Sequence, residues 1–452
     1  MGRTNFNQAP SLFQFFNSDL YLNSLCILGF IVSGLLSLNC IKQKYLRASL
    51  FLALYLIYLS FVNAGGVFLS FQWDALLLES GFLMIIFELA RNNNKTRTLA
   101  TWLLWILIFK LMFMSGIVKL ASGDKSWADL TALQFHYQTQ PLPNPLSIFF
   151  HHLPFWFHYI SCIIMFFIEL VIPFFIFFGR RMRHIAGLSF ILLQLLIILT
   201  GNYCFFNLLT IVLCLPLLDF EELKLVKLSI IEDSDEIMIA NPGINNFLED
   251  KPLDKNNLKL ILLTSILILY SSVSLTHILY RSGLEIEAVN KASRGYLKKL
   301  GAYYLNSPYG LFAVMTTKRY EIIFQGANDV PGQLAKSDWL DYEFKYKPGA
   351  LDRVPAQIAP FQPRLDWQMW FAALSTYKNN PWLVNFAVKL LEGNPSVLNL
   401  LETNPYQDTP PDYIRALIYE YKFADLNDKD TWTRELKGLY LPAVSLKKKT
   451  KS

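Results

Sequence analysis

Leu99–Val118 reads LATWLLWILIFKLMFMSGIV, and Lys110 is the one charged residue in it. A helix of about 20 residues crosses the hydrocarbon core of a bilayer, so this stretch has the length of a membrane span. Helices in soluble cores are rarely apolar on every face, as this one would be. The stretch therefore predicts a membrane protein built from α-helices.

Further apolar runs lie on both sides of this stretch, all of them before Tyr280. The composition agrees, because 53% hydrophobic and 17% charged residues are unusual for a soluble domain. We predict an α-helical polytopic membrane domain of about eight spans over residues 1–280. The predicted spans are Tyr21–Leu38, Ser49–Val67, Trp73–Leu89, Leu99–Val118, Phe155–Phe178, Ile185–Thr200, Cys204–Leu217 and Leu258–Tyr280.

Basic residues are concentrated after the first, third and fifth predicted spans. By the positive-inside rule these loops are cytoplasmic. Asp219–Asn257 is then also expected inside, whereas the N-terminus and everything after Arg281 are expected on the exported side. The residues that carry this pattern are Lys42, Lys44, Arg47, Arg91, Lys95, Arg97, Arg180, Arg181 and Arg183.

After Tyr280 the pattern becomes that of an exported α+β domain with a small β-sheet, residues 281–452. Tyr320–Gln325 is strand-like, and Tyr342–Tyr346 alternates aromatic with charged residues, which indicates a half-buried strand. Pro348–Pro363 is too rich in proline for a helix or a central strand. Further predicted elements are a loop at Gly326–Ser337 and helices from Asp366, at Trp382–Leu391 and at Tyr413–Phe423.

Signals of metal, nucleotide or nucleophile chemistry are few in this sequence. The five cysteines lie in or beside the predicted spans and show no metal-ligand spacing. The sequence has no nucleotide-binding glycine loop, zinc signature or serine nucleophile elbow. We therefore expect no metal and no cofactor. The net charge of +6 suits basic cytoplasmic loops, and Lys447–Lys451 is expected to be a solvated end rather than a nucleic-acid site.

Several longer strings, spread over most of the chain, are informative together. They are Trp73 and Asp74 with Glu79, HYQTQPLPNPLS from His136, FIELVIPFFIFFGRR up to Arg181, NSPYGLFAVMTT (Asn306–Thr317), YEFKYKPG (Tyr342–Gly349) and APFQPRLDWQMWFAAL (Ala359–Leu374). In content and order they resemble the lipase maturation factor family.

The resemblance implies a multi-span protein that resides, in eukaryotes, in the endoplasmic reticulum membrane. There it is needed for homodimeric lipases to fold and assemble in the lumen. A bacterial relative would hold the C-terminal domain in the periplasm from the inner membrane. The implied partners are the lipid bilayer and an exported client protein, with a lipase as the first candidate, and no nucleic acid. Family members usually carry one more span ahead of Tyr21. This sequence shows none there, so either its start is misplaced or the chain has lost that helix.

Leu99–Lys119, with Trp127 beyond it, is also similar to the membrane domain shared with vitamin K-dependent carboxylases. This second resemblance implies that Lys119 acts as a base in an enzyme that modifies a client protein or a lipid. The competing interpretation is a lysine at the outer end of a helix that snorkels to water. We expect the snorkelling lysine, and hence a chaperone-like assembly factor rather than an enzyme.

Three ionisable residues, Glu79, Lys110 and Glu169, fall near the middle of predicted spans. Such groups cost about 2.5–3.5 kcal/mol each on insertion scales, so they tend to be paired or functional. They either form a polar cavity, or Lys110 neutralises one of the glutamates so that the helices can pack. Neutralisation is the expected outcome.

Polar residues of the loop after Lys119 form another candidate site, namely His136, Gln140 and Asn144. The histidines of this region (His136, His151, His152 and His158) are either metal ligands or, as we expect, part of an interfacial belt with neighbouring aromatic residues. Asn202, beside Gly201, is expected to serve a tight turn.

In the exported domain, QPRLDWQMW supplies the candidates Arg364, Asp366, Trp367 and Trp370. Arginine and tryptophan are frequent hot-spot residues, which favours a client-binding surface. An Arg364–Asp366 ion pair that docks the domain onto the membrane part explains the same residues equally well. Both interpretations stay open.

Overall fold

The computed structural model describes residues 9–16, 18–218, 255–328 and 338–446. Most of Asp219–Asn257, most of the loop Gly326–Ser337 and the lysines of the C-terminal tail lie outside these ranges, and so do the predictions made for them. The chain divides into two compact units, and neither is one continuous stretch. The first comprises residues 1–123, 165–193 and 208–313, and the second 124–164, 194–207 and 314–452. The domain boundary expected at residue 280 is based on hydropathy, whereas these two units are defined by which parts of the chain pack together.

Twelve α-helices of four or more residues precede residue 301 in the described part of the chain. They are α1 (Asp19–Ser37), α2 (Lys44–Gly65), α3 (Gln72–Ala90), α4 (Asn94–Ala121), α5 (Lys125–Ala128), α6 (Ala132–Thr139), α7 (Ser147–His151), α8 (Phe155–Leu170), α9 (Arg180–Thr200), α10 (Phe206–Cys214), α11 (Lys255–Arg281) and α12 (Glu287–Leu300).

Among the described residues, six helices are long and apolar enough to cross a membrane. The predicted count of eight is therefore not confirmed. The six candidate spans are Asp19–Ser37, Lys44–Leu69, Asn94–Ala121, Phe155–Phe177, Arg180–Thr200 and Asn257–Arg281.

The two remaining predicted spans form helices with a different character. Helix α3 has full length, but it buries the carboxylates of Asp74, Glu79 and Glu88. Helix α10 has nine residues and continues only into a short 3₁₀ turn, Leu215–Leu217. At 1.5 Å per residue α10 alone is too short for a bilayer core of about 30 Å.

The second unit is built on a five-stranded antiparallel sheet with strand order β3-β2-β1-β4-β5, as an α+β domain requires. Both predicted strands are present, and so are the first two of the three helices predicted after Pro363. Pro348–Pro363 contains neither a helix nor a strand. The elements are β1 (Arg319–Ala327), β2 (Leu340–Phe344), α13 (Arg364–Ala373), α14 (Pro381–Leu391), α15 (Pro395–Leu398), β3 (Leu401–Thr403), β4 (Tyr413–Phe423) and β5 (Trp432–Val444).

The helix predicted at Tyr413–Phe423 is wrong, because this segment is strand β4. Ile414 and Ala416 are buried while their immediate neighbours are only partly buried, which is the alternation of a strand. The strand pairs with β1 on one side and β5 on the other. Its aromatic and β-branched residues suit this position, and pairing with two neighbours outweighs a helical start signal after proline.

Candidate functional site

Glu79 on α3 is the centre of a buried polar cluster in the first unit. Its Oε1 accepts hydrogen bonds from Lys110 Nζ (2.5 Å) and the Tyr270 hydroxyl (2.5 Å). Its Oε2 accepts from the backbone N–H of Ser307 (2.9 Å) and the Tyr309 hydroxyl (2.6 Å). The carboxylate is fully buried and each oxygen has two donors, so its charge is balanced entirely by protein groups.

Lys110 on α4 connects this cluster to Asn306, which lies in an irregular segment. Its Nζ donates to Asn306 Oδ1 (2.7 Å), and Asn306 Nδ2 donates to the carbonyl of Tyr270 (3.1 Å) and to Ser274 Oγ (2.9 Å). Lys110 lies eleven residues before the end of α4, which is about 16 Å along the helix. Non-helical backbone at such a depth needs protein partners for its polar groups. The cluster supplies them and anchors the segment around Asn306 among α3, α4 and α11.

Glu169 does not join this cluster but pairs with Lys119. Lys119 Nζ donates to Glu169 Oε2 (2.7 Å), Glu169 Oε1 (2.9 Å) and the carbonyl of Ser115 (2.9 Å). Both side chains are more than nine-tenths buried. The expectation that Lys119 snorkels to water is therefore wrong. A carboxylate on α8 lies beside it, and the close approach of the two helices at Gly116, where a Cβ would lie 2.6 Å from Leu170 Cδ2, keeps the pair enclosed.

In the second unit, His136 and Gln140 meet at the hydroxyl of Tyr203. Gln140 Nε2 donates to the carbonyl of Thr200 (2.7 Å), which leaves its Oε1 to accept from the Tyr203 hydroxyl (2.7 Å). Because the single hydroxyl proton goes to Gln140, His136 Nε2, 3.0 Å from the same oxygen, acts as the donor to it. Burial raises the pKa of Tyr203 well above its ordinary value, so the hydroxyl keeps its proton.

Asn202 and Asn144 connect the segment after α6, which contains Gln140, to the proline-rich passage Pro348–Pro363. Asn202 Oδ1 accepts from the N–H groups of Ile358 (2.7 Å) and Ala359 (3.0 Å), and its Nδ2 donates to the carbonyls of Pro143 (3.0 Å) and Ala356 (2.8 Å). Asn144 Nδ2 donates to Gln357 Oε1 (3.0 Å). The predicted turn role of Asn202 does not include these hydrogen bonds. The sequence gives no signal for them beyond the neighbouring Gly201.

Sequence reasoning also missed Arg319, which lies fully buried on β1. Its guanidinium donates to the carbonyls of Gln138 (3.0 Å), Gln140 (2.5 Å) and Pro141 (2.9 Å) and pairs with Glu321 (2.6 Å). Burial lowers the pKa of Arg319, and the Glu321 carboxylate opposes this effect. Arg319 thus fixes the backbone of the QTQPLP stretch within the unit.

The candidates on α13 are largely occupied by contacts inside the second unit. Asp366 Oδ1 accepts from the N–H groups of Tyr346 and Lys347 (2.9 Å each), and burial raises the pKa of Asp366. Trp370 Nε1 donates to the carbonyl of Thr139 (2.8 Å). Trp367 packs edge-on against Tyr203 and is buried, whereas Arg364 is partly exposed.

The histidines after α6 lie near one another without forming a ligand set. The rings of His151 and His152 are 5.3 Å apart, and burial lowers the pKa of His151 to about 4. His158 packs against Tyr137. In the described part of the chain, no three His, Cys, Asp or Glu side chains are placed to hold a metal ion.

Two family models match this chain. The lipase maturation factor transmembrane domain matches residues 1–225, and the lipase maturation factor C-terminal domain matches residues 305–442. No solved structure matches the chain.

Similar proteins come from several vertebrates. Lipase maturation factor 1 of Mus musculus is 36% identical over 95% of this chain and 75% of its own length. Lipase maturation factor 1 of Homo sapiens is 34% identical over 95% and 75% of the two chains. Lipase maturation factor 2 of Xenopus tropicalis is 33% identical over 97% and 75%. The chain therefore belongs to the lipase maturation factor family.

Proposed function

We propose that this chain is a membrane-anchored maturation factor that helps lipases reach their native state, with the residues after Arg281 on the exported side. The observation that carries the proposal is the match to named lipase maturation factors across both the membrane part and the C-terminal part. The location would be the endoplasmic reticulum membrane in a eukaryote, or the inner membrane with a periplasmic C-terminal domain in a bacterium.

The geometry of the second unit supports a binding role. Polar side chains of this unit, such as Asn202, Arg319 and Asp366, hold the fold together. Exposed apolar side chains remain on and before α13, where Phe361 is 60% and Phe371 is 41% exposed. Partially folded proteins expose apolar surface themselves, and a lipase monomer in that state fits such residues.

An enzyme with Lys119 as its base has less support. Lys119 Nζ donates hydrogen bonds to both carboxylate oxygens of Glu169 and to the carbonyl of Ser115. A general base must offer a lone pair to its substrate. The observed arrangement uses Lys119 as a donor within an enclosed ion pair.

The test is lipase maturation in cells that lack their own maturation factor. A homodimeric secreted lipase is expressed with and without this chain, and its specific activity and dimer fraction are measured. We expect both to rise with the chain present, and Phe361→Ser/Phe371→Ser to remove most of the gain. Leu426→Ser/Leu436→Ser, which alters equally exposed residues elsewhere in the unit, is the matched control and should keep it. Unchanged lipase activity with the unmodified chain would overturn the proposal.

A further inference from the structure

Helix α12 has one face packed on the first unit and an opposite face rich in basic residues. On the packed face, Ser293 is fully buried and its hydroxyl lies 2.8 Å from His277 Nδ1 on α11. Tyr296, one turn further on, packs edge-on against the same histidine ring. The exposed basic residues are Lys291, Arg294, Lys298 and Lys299, against a single acidic residue in the helix, Glu287.

Both ends of α12 are held close to helices that are long and apolar enough to span a membrane. At its start, α11 ends at Arg281, and Gly283 turns the chain with a φ of +78°. Beyond its end, the carbonyl of Ala302 accepts from Asn63 Nδ2 of α2 (3.1 Å), and the carbonyl of Tyr303 accepts from the Tyr55 hydroxyl. With both ends fixed in this way, α12 stays next to the end of α11.

The basic groups of α12 lack acidic partners in the part of the chain that the structure describes: none of the four takes part in an ion pair there. Exposed apolar side chains flank the helix, with Leu284 at 52% and Leu300 at 40% exposure. A basic helix with apolar residues at its edges, next to a span, has the character of an interfacial helix. The positive-inside pattern assigns this side to export, where a basic cluster is not expected from topology alone. A local anionic partner explains the cluster.

We propose that α12 lies at the membrane surface and that its basic face binds the anionic headgroups of phospholipids in the bilayer that holds the chain. Charge complementarity selects anionic over zwitterionic lipid, because Lys and Arg gain from a negative surface potential. The attachment of α12 to α11 selects lipid over a soluble partner, since lipid headgroups surround the end of a membrane span. The inference concerns membrane contact and does not depend on which client the chain assists.

The test uses the full chain in nanodiscs of phosphatidylcholine alone or of phosphatidylcholine with phosphatidylglycerol. Amide hydrogen exchange of Glu287–Leu300 is measured in both. We expect several-fold slower exchange in the anionic discs, and we expect high salt to remove the difference because it screens charges at the surface. The salt series needs no substitution, so it tests the proposal even if a variant folds poorly.

A charge-neutralised chain then assigns the effect to the basic face. Lys291→Gln/Arg294→Gln/Lys298→Gln/Lys299→Gln, in which glutamine preserves helix propensity, should exchange at the same rate in both discs. Lys378→Gln/Lys389→Gln, in the second unit, should behave like the native chain. Equal exchange of the native chain in both discs overturns the proposal, as does a difference that survives neutralisation. Inorganic phosphate that gives the same protection in zwitterionic discs assigns the site to phosphate instead and also overturns it.

Discussion

Lys110 Nζ lies 2.5 Å from Oε1 of Glu79, and both side chains are fully buried. The pair joins α4 to α3, and Asn306 and Ser307 hydrogen-bond to its two members. The irregular segment that leads from α12 towards β1 therefore depends on an ion pair deep among the helices. Removing two charges from water is costly. The pair is tolerated because further hydrogen bonds, including those of Asn306 and Ser307, stabilise both charges.

Glu79→Gln should destabilise the first unit strongly, because it leaves the Lys110 charge buried without a counterion. Removing one partner of a buried pair costs about 3–5 kcal/mol. Thermal unfolding of the full chain in detergent measures this loss, and proteolysis near Asn306 reports whether the segment is released. Glu79→Gln/Lys110→Met should recover much of the stability, since it removes both charges.

The control for this experiment is an exposed ion pair at a similar distance. Lys389 and Glu392 lie 2.6 Å apart, with 47% and 41% of their side chains exposed. Pairs of this kind contribute about 0–1 kcal/mol, so Lys389→Met should have little effect. Equal losses for Glu79→Gln and Lys389→Met would contradict the anchoring role of Glu79.

Lys119→Arg should retain lipase maturation, whereas Lys119→Met should reduce the amount of chain in the membrane. Arginine can donate to both oxygens of Glu169, but it stays protonated and cannot serve as a base. Methionine leaves the Glu169 carboxylate buried and unpaired, and Lys119→Met/Glu169→Met should restore the level of chain. Lipase activity is compared at matched membrane levels. An arginine variant that accumulates normally but fails in maturation would favour the enzyme.

Asn202→Ala should loosen the proline-rich passage of the second unit. It leaves the partly buried N–H groups of Ile358 and Ala359 without their acceptor. A fully buried group left in this way costs about 1–3 kcal/mol, and a partly buried group costs less. Hydrogen exchange of these two amides in the full chain should accelerate. Asn202→Asp keeps an acceptor and should preserve their protection, although it gives up the bonds to Pro143 and Ala356. Unchanged exchange in Asn202→Ala would refute the connecting role of Asn202.

The stability of the chain should fall between pH 6.5 and pH 4 because of His151. Burial, followed by His152 and His158, lowers its folded-state pKa from 6.5 to about 4. In this window the unfolded chain binds a proton that the folded chain does not, so the free energy of unfolding decreases as the pH falls. Melting temperatures of the native chain and His151→Gln at pH 7 and pH 5 measure the effect. The variant should lose less stability on acidification, and identical losses would exclude His151 as the cause.

The sequence predicts the elements that depend on local composition and leaves out those that depend on distant partners. Hydropathy over about 20 residues identifies the span Asn94–Ala121, because insertion depends on the average of such a window. The partner of Lys119 depends on which helix lies beside α4, and hydropathy carries no such information. For the same reason Asn202 appears as a turn residue, since its acceptor at Ala356 lies 154 residues away. Strand β4 is a different case, because its aromatic and β-branched residues suit a strand and the prolines ahead of it are typical of a helix start.

A reporter that fluoresces only in the cytoplasm should be bright when fused after Asn93 and dark when fused after Ser452. The first fusion tests α3, which buries three carboxylates and is not among the six candidate spans. If α3 crosses the bilayer, Lys42 and Lys95 lie on the same side of it, as the positive-inside rule demands. If α3 does not cross, the loops before α2 and after α3 lie on opposite sides and the basic pattern has no topological meaning.

The fusion after Ser452 tests whether the C-terminal part of the chain is exported. Counting the spans cannot replace this fusion, because six spans and eight spans both put the two ends of the chain on the same side. Dark fusions at both positions would remove α3 from the membrane. A bright fusion after Ser452 would place the C-terminal sheet in the cytoplasm, away from any exported lipase.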